Sequence, residues 1–241
     1  MPSPADALIA AADALRNDLR GLTFSPPVTH VYNPLDYAWA SHSAYLRKFG
    51  SGLKKGVFLG MNPGPYGMAQ TGVPFGEVAA VKDWMGIQEP VGSPPGAHPK
   101  RPIEGFSCTR SEVSGRRLWG WAAEQFGTAG QFFTEFFVVN YCPLIFLEDT
   151  GRNRTPDKVP ASEMAPVRAA CDTHLKKVIE ILQPAWLIGV GGFAETQLKN
   201  VAGGRPGTRI IRILHPSPAS PAANRDWSGA VTKTFQDAGL F

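Results

Sequence analysis

The chain has 241 residues, of which 43% are apolar and 18% are charged, and this is enough to bury one hydrophobic core of ordinary size. Its three cysteines, Cys108, Cys142 and Cys171, are odd in number and widely spaced, which excludes a disulfide framework, a Cys-x-x-Cys metal site and a four-thiolate iron–sulfur cluster. The net charge of +4 and the pI near 9.0 favour a polyanionic partner without identifying one. We therefore expect a single domain spanning residues 1–241.

The first predicted element is an amphipathic helix from Pro4 to Leu22, because its apolar residues recur at helical spacing. Charged residues interrupt this segment, which is unlike a signal peptide, and no stretch of the chain approaches ~18 uninterrupted apolar residues. We expect a monomeric cytoplasmic protein with no secretion signal and no membrane contact.

Four short apolar runs predict buried strands, since each ends at a glycine, a proline or a polar residue. These runs are Val57 to Leu59, Phe136 to Val139, Trp186 to Val190, and Ile210 to Leu214. Helical patterns lie between them, at Ser111 to Phe126, at Ser162 to Leu182 and from about Gly192 onward. This alternation predicts a three-layer α/β/α fold in which helices cover both faces of a central four-stranded parallel sheet.

Ligands of parallel sheets bind beyond the carboxyl ends of the strands. Four segments occupy such positions: Gly60 to Gly76, Asn140 to Pro143, Gly191 to Phe193, and His215 to Trp227. By contrast, Lys82 to Cys108 is rich in proline and glycine and lacks periodic apolar residues, so it is predicted to be a long surface excursion.

Two of these segments carry unusual compositions. Gly60 to Gly76 reads GMNPGPYGMAQTGVPFG, and its glycines and prolines fix a backbone that can approach a ligand closely, although alone it would be interpreted as a rigid turn. His215 to Trp227 reads HPSPASPAANRDW and places an imidazole at a strand end, before a stiff loop of prolines and small residues. Such a loop suits a narrow space such as a DNA minor groove, and Pro221 to Asn224 can begin a helix.

Together these segments resemble the single-strand-selective monofunctional uracil-DNA glycosylases, in their bacterial form, which are a family of the uracil-DNA glycosylase superfamily. The resemblance covers GMNPGPYGMAQTGVPFG, then NYCPL from Asn140 to Leu144, then HPSPASPAANRDW, in this order and each at a strand end. A weaker likeness in YNPLDYAW, Tyr32 to Trp39, extends it over most of the chain.

The resemblance implies a uracil-DNA glycosylase-like fold and a DNA N-glycosylase of base-excision repair. Such an enzyme would flip uracil, or a 5-modified uracil such as 5-hydroxymethyluracil, out of single- or double-stranded DNA. It would hydrolyse the N-glycosidic bond without a metal or cofactor and leave an abasic site, with no lyase step. The expected partner is DNA that contains uracil or a modified uracil, which in a bacterium would place the protein at the nucleoid.

The same resemblance implies roles for single residues. Asn62 would hold the attacking water and His215 would support the leaving group, which makes these two the catalytic residues. Phe75 would stack on the flipped base and Asn140 would read its edge. The other residues implied to bind the substrate are Gly60, Met61, Gly64 and Met68.

These roles agree with elementary chemistry. Uracil offers an N3 donor beside an O4 acceptor, and the amide of Asn140 presents the complementary acceptor and donor. Cytosine inverts this pattern and would leave buried groups unpaired at a cost of ~1 to 3 kcal/mol each. A neutral His215 imidazole can donate to O2 of the departing base, where negative charge develops.

Two departures from related families affect rate and substrate range. Asn62 stands where other families carry aspartate, and an amide can orient water but cannot act as a general base, so the mechanism is expected to be dissociative. Gly64 stands at the motif position where superfamily members that are strict for plain uracil resemble a form of the motif with tyrosine. Glycine would leave room beside C5, which predicts that 5-hydroxymethyluracil is accepted through a water held near Gly64 and Met61, whereas thymine would displace that water.

Further DNA contacts are predicted for the loop that would open the duplex and for backbone amides that could face phosphates. They are Gln70, Thr71, Gly72, Gly192, Pro216, Ser217, Pro218, Ala219, Ser220, Asn224 and Arg225. Lys54, Lys55 and Lys233 are equally compatible with phosphate contact and with ordinary solvent exposure.

Three other functions fit parts of the sequence. GVGGFA, Gly189 to Ala194, satisfies the dinucleotide fingerprint, but the next strand ends at Leu214 and His215, where an acidic ribose ligand would be expected. A DNA binder without catalysis would not need both Asn62 and His215. A mismatch-directed uracil or thymine glycosylase, or a relative active on deaminated purines, remains the closest alternative.

Overall fold

The computed structural model describes residues 2–241 and contains seven strands in two sheets. Four of the strands are parallel and form the central sheet, and the other three form a small antiparallel sheet beside it. In chain order they are β1 (Val28–Tyr32), β2 (Gly56–Gly60), β3 (Phe136–Asn140), β4 (Ile145–Glu148), β5 (Asn153–Arg154), β6 (Trp186–Val190) and β7 (Arg209–Ile213).

The central sheet has the strand order β3-β2-β6-β7, and this confirms the predicted four-stranded parallel sheet. Every residue of β2 and β3 is buried, as expected for strands covered on both faces. The register pairs Gly60 of β2 with Asn140 of β3. The carboxyl ends of β2 and β3 therefore lie side by side at one edge of the sheet.

Nine α-helices occur in residues 2–241. They are α1 (Pro4–Asp18), α2 (Pro34–Tyr37), α3 (Trp39–Phe49), α4 (Met68–Thr71), α5 (Val113–Phe126), α6 (Ala129–Glu135), α7 (Ala161–Leu182), α8 (Gly192–Ala202) and α9 (Pro221–Ala238). Helices α1, α3 and α7 pack together, while α5 packs against α6 and α9. These two groups on either side of the sheet give the three layers that the sequence predicts.

The helix ends follow ordinary capping chemistry. Ser3 caps α1 in a capping box with Asp6, and Pro4 occupies its first turn. Ser220 caps α9, whose first turn is separated from the rest by non-helical angles at Asp226. The predicted start of this last helix at Pro221 is confirmed, and α1 ends at Asp18, four residues before the predicted Leu22.

The antiparallel sheet of β1, β4 and β5 is absent from the prediction. Strands β1 and β5 carry no apolar run, and β5 has only two residues, whereas the short apolar run of β4, Ile145 to Leu147, directly follows the NYCPL segment and was not recognised as a strand. Strand β4 begins directly after the NYCPL segment and pairs with β1. This sheet consequently places β5 next to the carboxyl end of the central sheet.

The prediction that residues 82–108 form a surface excursion is wrong in part. His98 is only 2% exposed, and its backbone amide donates to the Tyr32 hydroxyl over 2.6 Å. The Gln70 side chain donates to the Pro102 carbonyl and accepts from the Glu104 amide. Composition indicates turns here, but it does not reveal these partners distant in the chain.

Candidate active site

A cleft of about 380 Å³ lies at the carboxyl edge of the central sheet. It is lined by side chains from several strand ends and from the loops that follow them. The predicted site residues among them are Met61, Asn62, Gly64, Met68, Phe75, Asn140, His215, Ser217 and Pro218. The structure thus brings the amides of Asn62 and Asn140, the ring of Phe75 and the imidazole of His215 to one cleft.

Asn140 lies at the end of β3 and is 8% exposed. Its side-chain nitrogen donates to the Met68 sulfur over 3.3 Å, and its Oδ1 is buried with no hydrogen-bond partner among residues 2–241. A buried acceptor without a hydrogen bond destabilises the folded protein, and a ligand that donates to it removes this cost. The amide of Asn140 therefore faces the cleft with an unused acceptor and a weakly engaged donor.

Gly60 and Phe75 complete the surroundings of this amide. A Cβ atom on Gly60 would overlap Asn140 Oδ1 and lie 2.6 Å from Phe75 Cε2, so only glycine permits this close approach. Phe75 has a positive φ of 52°, which is unusual for a residue with a side chain. Trp119 stabilises this conformation by donating from its indole nitrogen to the Phe75 carbonyl over 2.9 Å. The ring of Phe75 is consequently held beside Asn140.

His215 follows β7 and is oriented by its own loop. The Ser217 backbone amide donates to His215 Nδ1 over 3.1 Å, which assigns the proton of a neutral imidazole to Nε2. Burial lowers the pKa of His215 below its ordinary value, because it disfavours the charged imidazolium. Gly191, with φ +87°, packs against this ring, and a Cβ there would lie 3.1 Å from His215 Cβ. The site therefore holds a neutral imidazole with one N–H available.

Asn62 lies in the loop after β2. Its Nδ2 donates to the Leu144 carbonyl over 3.3 Å, and this contact fixes the orientation of the amide. The nearby Asn153, from β5, donates to the Pro63 carbonyl over 3.2 Å and steadies the same loop. The Oδ1 of Asn62 takes no part in this contact and stays available as an acceptor at the cleft.

Glu112 is a cleft residue that the sequence did not identify. It precedes α5, and an added Cβ on Gly64 would overlap its Oε2, so the space beside Gly64 holds a carboxylate and is not simply open as predicted. Glu112 also accepts from the Tyr66 amide over 3.4 Å. Burial raises the pKa of Glu112, and the negative charge of Glu77 adds to this effect. No sequence motif could indicate the contact, since 48 positions separate Gly64 and Glu112.

The loop from Pro216 to Asn224 is braced from α5 by Arg117, which the sequence analysis also missed. Arg117 donates to the Pro216 carbonyl over 3.0 Å and to Asn224 Oδ1 over 2.8 Å. The Asn224 nitrogen in turn donates to the Pro218 carbonyl over 2.8 Å. Pro218 and Ala219 are exposed at the tip of this braced loop.

Several predicted DNA contacts disagree with the structure. Gln70, Thr71 and Gly72 are buried, and their backbone amides already donate to carbonyls of the preceding turn. Pro216 is buried as well, and both ends of the Asn224 amide are engaged within the protein. These five residues hold the loops in place, and of their polar groups only the second Nδ2 hydrogen of the exposed Asn224 is left for a phosphate.

Other predicted contacts remain compatible with DNA. Gly192 is exposed at the start of α8, and Arg225 is exposed in the first turn of α9. Ser217 lines the cleft, whereas the Ser220 side chain caps α9. The roles of these residues stay predictions.

The three lysines offered as phosphate contacts lie elsewhere. Lys54 and Lys55 precede β2 and so lie at the opposite edge of the sheet from the cleft. Lys54 is 4% exposed and donates to the Phe133 carbonyl, and burial lowers its pKa to about 8. Lys233 pairs with Asp237 over 2.9 Å.

Comparison with known proteins identifies the family. The model of the uracil DNA glycosylase superfamily matches residues 48–238, which is most of the chain. The chain belongs to the uracil-DNA glycosylase superfamily. This membership agrees with the predicted resemblance. It also removes the dinucleotide-binding alternative. In that alternative Gly189 and Gly191 would contact a pyrophosphate, whereas here they pack against Glu195 and His215.

Three curated relatives of this uracil-DNA glycosylase superfamily member are similar over nearly its whole length. The single-strand selective monofunctional uracil DNA glycosylase of Mus musculus is 45% identical over 94% of this chain and 81% of its own. Those of Rattus norvegicus and Bos taurus are 46% and 43% identical, over 94% and 99% of this chain and 82% and 89% of theirs.

A solved structure shares the fold at much lower identity. The crystal structure of wild-type Pedobacter heparinus SMUG2 superposes with a TM-score of 0.71, at 18% identity and 100% coverage of both chains. This likeness supports the fold alone. In residues 2–241, no helix is both long and apolar enough to cross a membrane.

Proposed function

We propose that this glycosylase removes uracil and 5-modified uracils from single- and double-stranded DNA by hydrolysis of the N-glycosidic bond, leaving an abasic site. The observation that carries the proposal is the Asn140 amide, whose buried Oδ1 has no partner in the described chain and whose nitrogen contacts only the Met68 sulfur. The similarity to curated uracil-DNA glycosylases over most of the chain supports it.

Base selection follows from this amide. Asn140 Oδ1 would accept from uracil N3 and its nitrogen would donate to O4, while Phe75 stacks on the ring. Uracil would satisfy the unpaired Oδ1 of Asn140 and its weakly engaged nitrogen at once. Cytosine would face Oδ1 with an acceptor and the amide nitrogen with a donor, so it would be rejected.

Bond cleavage relies on the neutral His215. Its Nε2–H would donate to O2 of the departing base, where negative charge accumulates as the glycosidic bond lengthens. The Oδ1 of Asn62 would orient the water that attacks the sugar without acting as a base, and the proton that this water loses on forming the sugar hydroxyl would neutralise the departing uracil anion. The reaction is therefore dissociative, because the oxocarbenium character of the sugar must develop before a weak nucleophile can attack.

Glu112 changes the account of 5-substituted bases. Since its carboxylate occupies the space beside Gly64, a 5-hydroxymethyl group would find an acceptor there, reached directly or through one water. The methyl group of thymine has no donor to offer and would displace that water. A donor at C5 is consequently favoured over an apolar group.

The test is excision from a synthetic oligonucleotide that contains one uracil, in the presence of a chelator, followed by alkaline cleavage of abasic sites. We expect a cleaved product from uracil and from 5-hydroxymethyluracil, and none from cytosine or thymine. Lack of product from uracil at high enzyme concentration would contradict the proposal. Activity confined to uracil opposite guanine would instead indicate a mismatch-directed enzyme.

A further inference from the structure

Two arginines converge on one tyrosine hydroxyl at the rim of the cleft. Arg101 donates to the Tyr66 hydroxyl over 2.9 Å, and Arg110 also donates to this hydroxyl. Their guanidinium carbons lie 5.6 Å and 5.0 Å from the centre of the Tyr66 ring. The hydroxyl has two lone pairs, so it can accept from both guanidinium groups.

Neither arginine has a carboxylate partner in residues 2–241. Other arginines do, as shown by the pairs of Arg20 with Asp36 and of Arg154 with Glu148. Glu112 accepts from the Tyr66 backbone amide, and Glu104 and Arg110 both lie near Cys108, but neither carboxylate forms an ion pair with Arg101 or Arg110. Two positive charges therefore meet on one hydroxyl without a direct ion pair, an arrangement that a bound anion would stabilise.

Both arginines keep donors free. Arg101 is half-buried, and its Nε and Nη1 are bound to Gly151, Lys100 and Tyr66, which leaves Nη2. Arg110 is exposed and uses only Nη1. A guanidinium group is planar and holds its N–H donors in a fixed arrangement, so it can donate two parallel hydrogen bonds to the oxygens of one phosphate.

Arg101, Arg110 and Tyr66 lie next to the cleft in which the base is proposed to bind. Gly64 and Pro65, which line the cleft, immediately precede Tyr66. A nucleotide whose base enters the cleft must carry its phosphates past the rim. We propose that Arg101, Arg110 and Tyr66 form a binding site for a backbone phosphodiester of the DNA strand that carries the flipped base.

Arg110 is the residue to vary, since it is exposed and its guanidinium group contacts only Tyr66, so we expect its loss to leave the fold intact. Arg205 is a matched control because it is also exposed and precedes β7, at the opposite edge of the sheet from the cleft. R110A and R205A remove the same charge. R110K keeps the charge but loses the planar guanidinium group. Y66F removes the hydroxyl that accepts hydrogen bonds from both arginines.

Binding is measured by fluorescence anisotropy on a single-stranded oligonucleotide with 2′-fluoro-deoxyuridine, which resists cleavage, across a series of salt concentrations. For R110A we expect a Kd raised about fivefold to tenfold at low salt, and a salt slope smaller by about 0.7, the loss of one phosphate contact. R110K and Y66F should fall between R110A and the wild type, and R205A should match the wild type. The kcat for uracil excision by R110A should stay within about twofold of wild type.

The inference fails if R110A keeps the wild-type salt slope, if R205A weakens binding as much as R110A, or if R110A lowers kcat and leaves Kd unchanged. It rests on the proposed function for the identity of the ligand as DNA. Wild-type excision of uracil separates the two failures. If the wild type excises uracil and R110A binds equally well, only the phosphate site is contradicted.

Discussion

At the residue scale, the proposed choice of base rests on the amide of Asn140, whose acceptor has no partner in residues 2–241 and whose donor contacts a thioether sulfur. The amide cannot turn freely, since it is buried between Gly60, Phe75 and Met68. Its two groups therefore keep a fixed order, which matches one edge of uracil and opposes the same edge of cytosine.

Asn140→Asp tests this directly, because a carboxylate offers two acceptors and loses the donor for O4. We expect kcat/KM for uracil to fall by about 10- to 100-fold, the loss caused by one or two unpaired buried groups. Single-turnover excision measures it. Asn200→Asp, on the exposed face of α8, is the control and should match the wild type. An Asn140→Asp enzyme with unchanged activity would contradict the assigned role.

The acid side of the pH profile tests His215. Its pKa lies below its ordinary value because of burial, so the imidazole stays neutral as the pH falls through about 6.5. Protonation at lower pH would place a proton on Nδ1, facing the Ser217 amide that now donates to it. We therefore expect kcat to stay level through pH 6.5 and to decline only below it. The profile is measured with saturating DNA. A decline centred at or above pH 6.5 would contradict the prediction, because it would mean that burial does not lower the pKa of His215.

Strand-end positions and family resemblance were sufficient to find Asn62, Phe75, Asn140 and His215, which the structure places around one cleft. Glu112 escaped notice because it reaches the cleft from the start of a helix that is distant in sequence. Contacts of this kind depend on how elements pack, and local patterns do not encode them.

At the scale of elements, helix α5 supports the loop that follows His215. Arg117 binds the Pro216 carbonyl and Asn224, and so holds the first and last parts of this loop together. A loop that must separate stacked bases has to resist deformation, since extrusion of a base costs roughly a few kcal/mol in a duplex and less in a single strand.

Arg117→Ala should therefore reduce excision of uracil from a duplex more than from a single strand. We expect the ratio of duplex to single-strand kcat/KM to fall about tenfold. Arg116→Ala is the control, since Arg116 is the exposed neighbour and contacts only Ser111. Equal losses on both substrates would mean that Arg117 acts through His215 and the chemistry, and would contradict its role in strand opening.

Elements differ in how readily the sequence reveals them. The strands of the central sheet are apolar runs, interrupted only by the arginines of β7, and their bounds were predicted to within one residue. Strands β1 and β5 are partly exposed and short and leave no such run, while β4 is buried but only four residues long, which is too short to distinguish it from a loop. The fixed position of segment 82–108 was also missed. Polar contacts of Gln70 and His98 hold this segment in place, and such contacts leave no periodic apolar pattern in the sequence.

At the scale of the whole molecule, two histidines link stability to pH. Burial lowers the pKa of His42 and of His174 to about 4. His42 is 7% exposed and its Nδ1 contacts the Gly72 carbonyl at 2.8 Å, while His174 is only half-buried and contributes less. The unfolded chain binds these protons more readily than the folded one, so stability is full above about pH 6.5 and is lost as the pH falls toward 4.

Replacement of His42 isolates this effect. We expect the free energy of unfolding of the wild type to fall by several kcal/mol between about pH 6.5 and pH 4, and that of His42→Asn to depend less on pH in this range, though it is lower at neutral pH. Denaturant titration at a series of pH values measures both. His30→Asn is the control, and an identical pH dependence in all three proteins would contradict the account.

The fold as a whole was predictable because alternating strands and helices leave few arrangements for a parallel sheet. Its single domain, monomeric state and cytoplasmic location stay predictions. The position of Arg101 and Arg110 around Tyr66 could not be foreseen, since the segment that carries both arginines has no periodic pattern to place it.

The central claim is that one cleft holds a flipped uracil between Phe75, Asn140 and His215. A crystal structure with DNA containing 2′-fluoro-deoxyuridine tests it most directly. We predict uracil N3 and O4 within about 3.2 Å of Asn140 Oδ1 and Nδ2, and O2 within the same distance of His215 Nε2. A base bound outside this cleft, or inside it with O2 toward Asn140, would contradict the account.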